Sequence, residues 1–403
     1  MRKKDEEKAA KEYEKMPYPR LFSHREEIAD VRCKKKMKKI LLLCGASQTV
    51  LNFRVGLIQT LKDAGWNVSV SVLDSKYKEE IRALPIDGLF CAEQSNRSLN
   101  PFALLRLKGY YQKIIGEICP DVVMTFMLKP NTLGVAAAHK AGVKHIVSMV
   151  EGAGDVFINR GLKWAIIRKT VCCLYKKSFR YSKKIIFLNN DDKAEFIGRR
   201  LVKEERCKVI PGVGVDLERF AFMPMKNRRT FLMVARMLKT KGVYEYCECA
   251  RIVKKKYPDA VFNYLGAEST VTLSDIREYI DDGSVNYLGV VKDVRAYLGE
   301  CTAFILPSSY REGVPMSIME AEATGRAVLT SDNIGCRETV KDGYNGFLAG
   351  ADDVNKLAEK AIRIIEHPEE AEEMGKNARL FAEEKFDQRK INRIVLSIIG
   401  EDE

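Results

Sequence analysis

The chain has 403 residues, 46% of them hydrophobic and 31% charged, and a net charge of +13. That length favours two cores of ordinary size over one. Its eleven cysteines are odd in number, scattered and without a C-x-x-C pair, which argues against a disulfide framework and for reduced core thiols in a cytosolic protein. No run of eighteen apolar residues occurs, so no segment reads as a membrane-spanning helix.

Residues 1–36 are charged throughout, lack the apolar centre of a signal peptide, and are expected to be a poorly ordered extension. Met37-Lys-Lys-Ile-Leu-Leu-Leu43 reads as a natural start. Short apolar runs then alternate with amphipathic stretches. Lys39–Cys44, Asn67–Leu73, Asp121–Phe126, Lys144–Val150 and Lys184–Leu188 read as buried parallel strands, with a helix over Phe53–Ala64 before Gly65. The pattern restarts at Thr230–Ala235, Ala260–Leu265, Val285–Leu288, Thr302–Leu306 and Ala327–Thr330. Strand–helix alternation twice over predicts two doubly wound α/β domains. We place them at 37–212 and 213–385, joined near Val209-Ile-Pro211-Gly-Val-Gly214. The tail from Glu369 to Ile399 reads as helical, and residues 386–403 are expected to return to the first domain.

Charge is unevenly placed. Residues 1–212 carry 41 basic and 23 acidic side chains, a net +18, whereas 213–403 carry a net −5. A basic first half suits an anionic partner.

The informative residues follow predicted strands. Gly45 follows the first, Lys129 the run Asp121–Phe126, Glu151 the run Lys144–Val150, Arg236 the run Thr230–Ala235, and Glu312 the run Thr302–Leu306. Ligands of open parallel sheets bind outside the carboxyl ends of strands, so two such domains facing each other bring these groups to one cleft. Glu312-Gly313-Val314-Pro315-Met316 precedes a helix predicted from Pro315 to about Thr324, with Gly325 as its stop. The free N–H groups at its start favour a phosphate or sugar oxygen. Glu312 sits at that mouth, and Glu320, about two turns inside, suits a vicinal diol such as ribose. The plainer reading is a dipole partner and a solvated glutamate. Arg236 and Lys241, five residues apart before Gly242, suit a diphosphate, Arg by its fork and Lys as a point charge. Glu151-Gly-Ala-Gly154-Asp155 places a carboxylate where it either orients an acceptor hydroxyl or caps the next helix.

Gly161–Lys184 holds eight basic residues and no acidic one: Lys163, Arg168, Lys169, Lys176, Lys177, Arg180, Lys183 and Lys184. Trp164, Ile166, Ile167, Val171, Leu174, Tyr175 and Phe179 lie between them. The pattern suits an anionic membrane surface, or else a packed helix with a basic solvent face. Phe102–Ile118 extends it. Nucleic acid is the rival partner for +13, but no zinc-finger spacing or RNP-like aromatic motif supports it, so none is expected. No G-x-G-x-x-G follows the first strand, and there is no Walker A sequence, no H-E-x-x-H and no D-x-D triplet. No metal and no cofactor are expected, so protein cations and a helix terminus must balance a diphosphate.

Arg236 with Lys241-Gly242 and the spacing Glu312-x7-Glu320 resemble glycosyltransferase family 4, retaining enzymes of the GT-B fold with two Rossmann-like domains facing across a cleft. The resemblance spans roughly Met37 to Asp387. Phe53-Arg54 with Leu61 and Gly65 is similar to the family's first helix, Gly212-Val-Gly214-Val-Asp216-Leu to its interdomain strand, and Val285-Asn-Tyr-Leu-Gly289 to the segment before its nucleotide-base pocket. Lys129-Pro130-Asn131, Glu151-Gly-Ala-Gly154 and Phe187-Leu-Asn189-Asn-Asp191-Asp192 resemble a bacterial branch that extends sugars on undecaprenyl diphosphate in capsule, O-antigen or protein-glycan assembly.

The resemblance implies a peripheral enzyme at the inner face of the cell membrane. It would transfer GalNAc, GlcNAc or galactose from a UDP-sugar to a polyprenyl-diphosphate-linked glycan. Arg236 and Lys241 would bind the diphosphate, Glu312 with the backbone of Gly313 to Met316 the hexose, and Glu320 the ribose. Gly45, Lys129 and Glu151 would face the acceptor. Arg326-Ala327 stands where the family often has x-Pro, and Glu151 lies near a position where many relatives have histidine. A GT-B-like UDP-sugar epimerase remains the alternative enzyme.

Overall fold

Thirteen short strands carry the described part of the chain, which in this computed structural model comprises residues 37–94, 100–159, 161–226 and 229–400. The expected 1–36 extension lies outside it. The first sheet contains β1 (Lys39–Leu43), β2 (Asn67–Val72), β3 (Gly88–Cys91), β4 (Val122–Phe126), β5 (His145–Val150), β6 (Lys184–Phe187) and β7 (Cys207–Val209). The second contains β8 (Thr230–Val234), β9 (Val261–Leu265), β10 (Asn286–Tyr287), β11 (Ala303–Leu306), β12 (Ala327–Ser331) and β13 (Gly346–Ala349). Their orders are 3-2-1-4-5-6-7 and 10-9-8-11-12-13. All pairings between strands are parallel. These are two doubly wound, Rossmann-like sheets.

The central strands are buried on both faces: Ile40, Leu41, Leu42 and Leu43 in β1, and Ala303, Phe304, Ile305 and Leu306 in β11. A sheet covered by helices on both sides takes continuous apolar strands rather than alternating ones. Each predicted strand is present to within two residues at either end. The strands that sequence reading missed, β3, β7 and β13, are short and lie at sheet edges.

The helix expected over Phe53–Ala64 is two helices, Ser47–Phe53 and Val55–Asp63, broken at Arg54. The helical tail is also broken, into Pro368–Lys385 and Gln388–Gly400. At that break the chain crosses between sheets beside its first crossing. The N–H of Val215 donates to the Phe386 carbonyl at 2.8 Å, and the N–H of Gln388 donates to the Val215 carbonyl at 3.1 Å. The helix Gln388–Gly400 then packs against Val55–Asp63, on the first sheet.

Candidate active site

The carboxyl ends of the two sheets open onto one cavity of about 870 Å³. Arg236, Lys241, Glu312, Gly313, Val314, Pro315, Met316 and Glu320 line it from the second sheet, and Glu151 lines it from the first. The loops after β8 and β11 are tied together, since the N–H groups of Ser309 and Tyr310 both donate to the Thr240 carbonyl at 2.9 Å. That tie brings Lys241 to Glu312. The ammonium donates to the carboxylate, which also accepts from Ser308 Oγ at 3.3 Å. Arg236 is exposed at the cavity wall, and its guanidinium makes no ion pair among the described residues.

The helix after Pro315 runs from Met316 to Ala323, so Pro315 is its cap rather than its first residue. Glu320 therefore sits little more than one turn inside, nearer the mouth than the sequence suggested. Burial pushes its carboxyl up to about 7; Arg219 pulls it down and Asp293 raises it. Both of these neighbours also line the cavity. Neither stood out in the sequence, where a lone charge in a loop carries no pattern.

On the first sheet, Glu151 forms an ion pair with Arg54, whose side chain is 2% exposed. The guanidinium carbon lies 3.9 Å from the centre of the Phe126 ring. Glu151 is thus a carboxylate on the cavity wall, held by a buried cation. Two expected acceptor-side residues are not on that wall. Gly45 is buried at the end of β1, its carbonyl accepting from the N–H of Leu73 at 2.9 Å. Lys129 is buried before the turn Pro130–Gly134, where desolvation lowers its pKa. Asn131 lines the cavity instead, its Nδ2 donating to the Met149 carbonyl at 2.8 Å. Beyond Glu151 this wall turns apolar, with Leu128, Val156, Phe157, Val171 and Tyr175.

The basic segment forms the helix Leu162–Phe179. Its buried face is confined to the second half, at Val171, Tyr175, Ser178 and Phe179, while Leu162 and Ile166 are exposed. Lys163, Lys169, Lys176, Lys177, Arg180 and Lys183 are exposed, whereas Trp164 and Lys184 are half-buried. Arg168 is half-buried and tied to the backbone. Its guanidinium donates to the carbonyls of Val156 and Asn159 at 3.1 Å. No helix among the described residues is long and apolar enough to cross a membrane. No group of three or more His, Cys, Asp or Glu side chains among them is placed to hold a metal ion.

Residues 215–381 match the family model of Glycosyl transferases group 1, and 39–189 that of Glycosyl transferase 4-like. The chain is 32% identical over 354 residues to an N,N'-diacetylbacillosaminyl-diphospho-undecaprenol alpha-1,3-N-acetylgalactosaminyltransferase of Campylobacter jejuni, covering 84% of this chain and 93% of the relative. The chain belongs to glycosyltransferase family 4. This glycosyltransferase is also 30% identical over 269 residues to an Escherichia coli UDP-Gal:alpha-D-GlcNAc-diphosphoundecaprenol alpha-1,3-galactosyltransferase, covering 61% of this chain and 66% of the relative. In fold, a glycosyltransferase from Rickettsia africae superposes on it with a TM-score of 0.73 at 20% identity, covering 91% of this chain and 98% of that one. Anabaena Alr3699/HepE in complex with UDP-glucose does so at 0.73 and 18%, covering 90% and 99%. The two doubly wound domains of this glycosyltransferase thus form the GT-B fold, and the family assignment replaces the nucleic-acid-binding alternative.

Proposed function

We propose that this glycosyltransferase moves a hexosyl unit, GalNAc, GlcNAc or galactose, from a UDP-sugar to a polyprenyl-diphosphate-linked sugar with retention of configuration. One observation carries the reading. Two cations and two carboxylates from the second sheet meet a carboxylate from the first around a single cavity large enough for donor and acceptor sugars. The activities of both relatives, with a lipid-diphosphate-linked acceptor in each, support the same acceptor class.

In this reading Arg236 and Lys241 grip the diphosphate, Glu320 accepts from the ribose hydroxyls, and Glu312 with the backbone of Gly313 to Met316 holds the hexose. As the bond between the anomeric carbon and the β-phosphate oxygen breaks, negative charge grows on that oxygen. Arg236, Lys241 and the N–H groups at Met316 stabilise it. The acceptor hydroxyl attacks from the same face and passes its proton to the departing phosphate, giving UDP and the new glycosidic bond. Lys241 is paired with Glu312, so a diphosphate that draws the ammonium away frees the carboxylate for sugar hydroxyls. The charge is balanced without a metal ion, and turnover is expected to persist in EDTA. The acceptor lies on the Glu151 side.

The exposed Leu162 and Ile166, beside the lysines of their own helix, and the exposed Phe102 and Leu105 of the helix Pro101–Ile118 support docking of the first domain on an anionic lipid surface at the inner face of the cell membrane. A screen of UDP release across UDP-hexoses, with a short lipid-diphosphate-linked sugar, tests the assignment. Release that depends on the acceptor is the expected result. Isomerisation of UDP-GlcNAc without an acceptor would instead indicate an epimerase.

A further inference from the structure

Glu312 and Gly313, on the second sheet, are gripped from the first. Asn189 caps the helix Asn190–Gly198, its Oδ1 accepting the N–H of Asp192 at 2.7 Å. The same side chain donates through Nδ2 to the carbonyl of Gly313 at 2.9 Å and reaches that of Glu312 at 3.3 Å. Asp192, whose side chain is 0% exposed, accepts from Arg311 Nε at 2.7 Å, and Arg311 Nη1 reaches Glu195 at 3.5 Å. The backbones also touch. A Cβ on Gly152, whose φ is +134°, would lie 3.1 Å from the Gly313 nitrogen. One on Gly313 would overlap the carbonyl of Glu151.

A buried ion pair is a weak source of net stability, because desolvation offsets most of the attraction. Burial pushes the Asp192 carboxyl upward while Arg311 pulls it back. Such a pair does fix geometry, and here it fixes the residue directly before Glu312. We propose that Asn189, Asp192 and Arg311 are positioning residues for transfer. From across the cleft Asn189 holds the Gly313 carbonyl and Asp192 holds Arg311, so together they set the backbone that carries the donor-side carboxylate against the backbone of Glu151. Glu312 is then correctly placed only while the two domains are together, so donor activation is tied to the presence of the acceptor wall, and hydrolysis of the donor by water is held down. This rests on the donor-site reading of Glu312.

The test uses the full chain with a UDP-hexose and a lipid-diphosphate-linked sugar, comparing Asn189→Ala, Asp192→Asn, Arg311→Met, Arg311→Lys, the Asp192→Asn/Arg311→Met double variant and Glu312→Ala. Each clamp removal is expected to lower kcat for transfer by about tenfold or more. UDP affinity should hold within about threefold, because Arg236, Lys241 and Glu320 are untouched. The double variant should be no worse than its poorer single, as expected of residues acting as a unit, and Arg311→Lys should recover part of the loss. Donor hydrolysis should rise relative to transfer. Asn189→Ala leaves no buried charge unpaired and serves where Asp192→Asn is unstable. Wild-type kcat in the folded clamp variants, with Glu312→Ala inactive, overturns the proposal. So does UDP affinity that collapses in step with kcat. Wild-type activity of Glu312→Ala overturns the donor-site reading itself.

Discussion

Lys241 and Glu312 form an ion pair between the loops after β8 and β11, with side chains only 16% and 12% exposed. The cation assigned to the leaving diphosphate and the carboxylate assigned to the hexose therefore neutralise each other at one point of the cavity wall. In the proposed reading a diphosphate exchanges with Glu312 for the ammonium, which would couple donor binding to release of the carboxylate.

Lys241→Ala is expected to lower kcat by a factor corresponding to about 3–4 kcal/mol, the usual loss for one donor to a developing oxyanion. Glu320→Ala should instead raise the donor KM more than it lowers kcat, because ribose contacts are equal in ground and transition states. Steady-state kinetics with the preferred UDP-hexose separate the two. Near-normal constants in both variants would remove these residues from the site.

Glu320 is expected to make donor binding pH-dependent. Its carboxyl is raised to about 7 by burial, with Arg219 opposing and Asp293 adding. The charged form accepts ribose hydroxyls best, so the donor KM is expected to rise as pH falls through about 7. For stability the sign is the reverse of the usual carboxylate case. The folded state binds the proton more tightly than the unfolded chain, so this group weakens the fold as pH climbs from about 4.5 to 7. Glu320→Gln should thus melt higher than wild type at pH 8, by about 3 °C, and show no gain at pH 4.5. A melting difference that does not change with pH would contradict this.

Arg54 depends on Glu151 for its charge partner. Glu151→Ala strands a buried guanidinium and is expected to cost about 3–5 kcal/mol of folding stability, besides any loss of transfer. Replacing both, as Arg54→Met/Glu151→Gln, should recover most of the stability and none of the activity. Denaturant unfolding with parallel rate measurements checks both halves. A stable but inactive Glu151→Ala would place its whole effect on the acceptor.

Cosedimentation with anionic liposomes, reversed by salt, is expected for the full chain. Lys163→Gln/Lys169→Gln should weaken it by about 1 kcal/mol per lysine, because these two stand beside the exposed Leu162 and Ile166. Arg168→Gln should act through stability instead, since it ties Val156 and Asn159 to the helix. Unchanged binding after removal of Lys163, Lys169, Lys176 and Lys177 would leave the segment as a solvated face.

The amino-acid sequence determined the two sheets and which charged residues follow their strands. Buried parallel strands must be apolar throughout, so β1 or β11 stands out against any helix, and Arg236, Lys241 and Glu312 follow strand ends, with Glu320 in the helix after β11. What lies between the domains was decided only by folding. Arg54 reads as one charge in an amphipathic helix until Glu151, 97 residues on, closes on it. Asn189 and Asp192 read only as part of a motif that resembles one branch of the family, and nothing in it shows that the loop holding Arg311 and Gly313 reaches them from the other sheet. Lys129 reads as a cleft cation and is instead buried. Sequence spacing reports neighbours within one element. Which charges meet across a cleft depends on how two separately folded sheets are set against each other, through crossings at Val215 and Phe386 that no periodicity records.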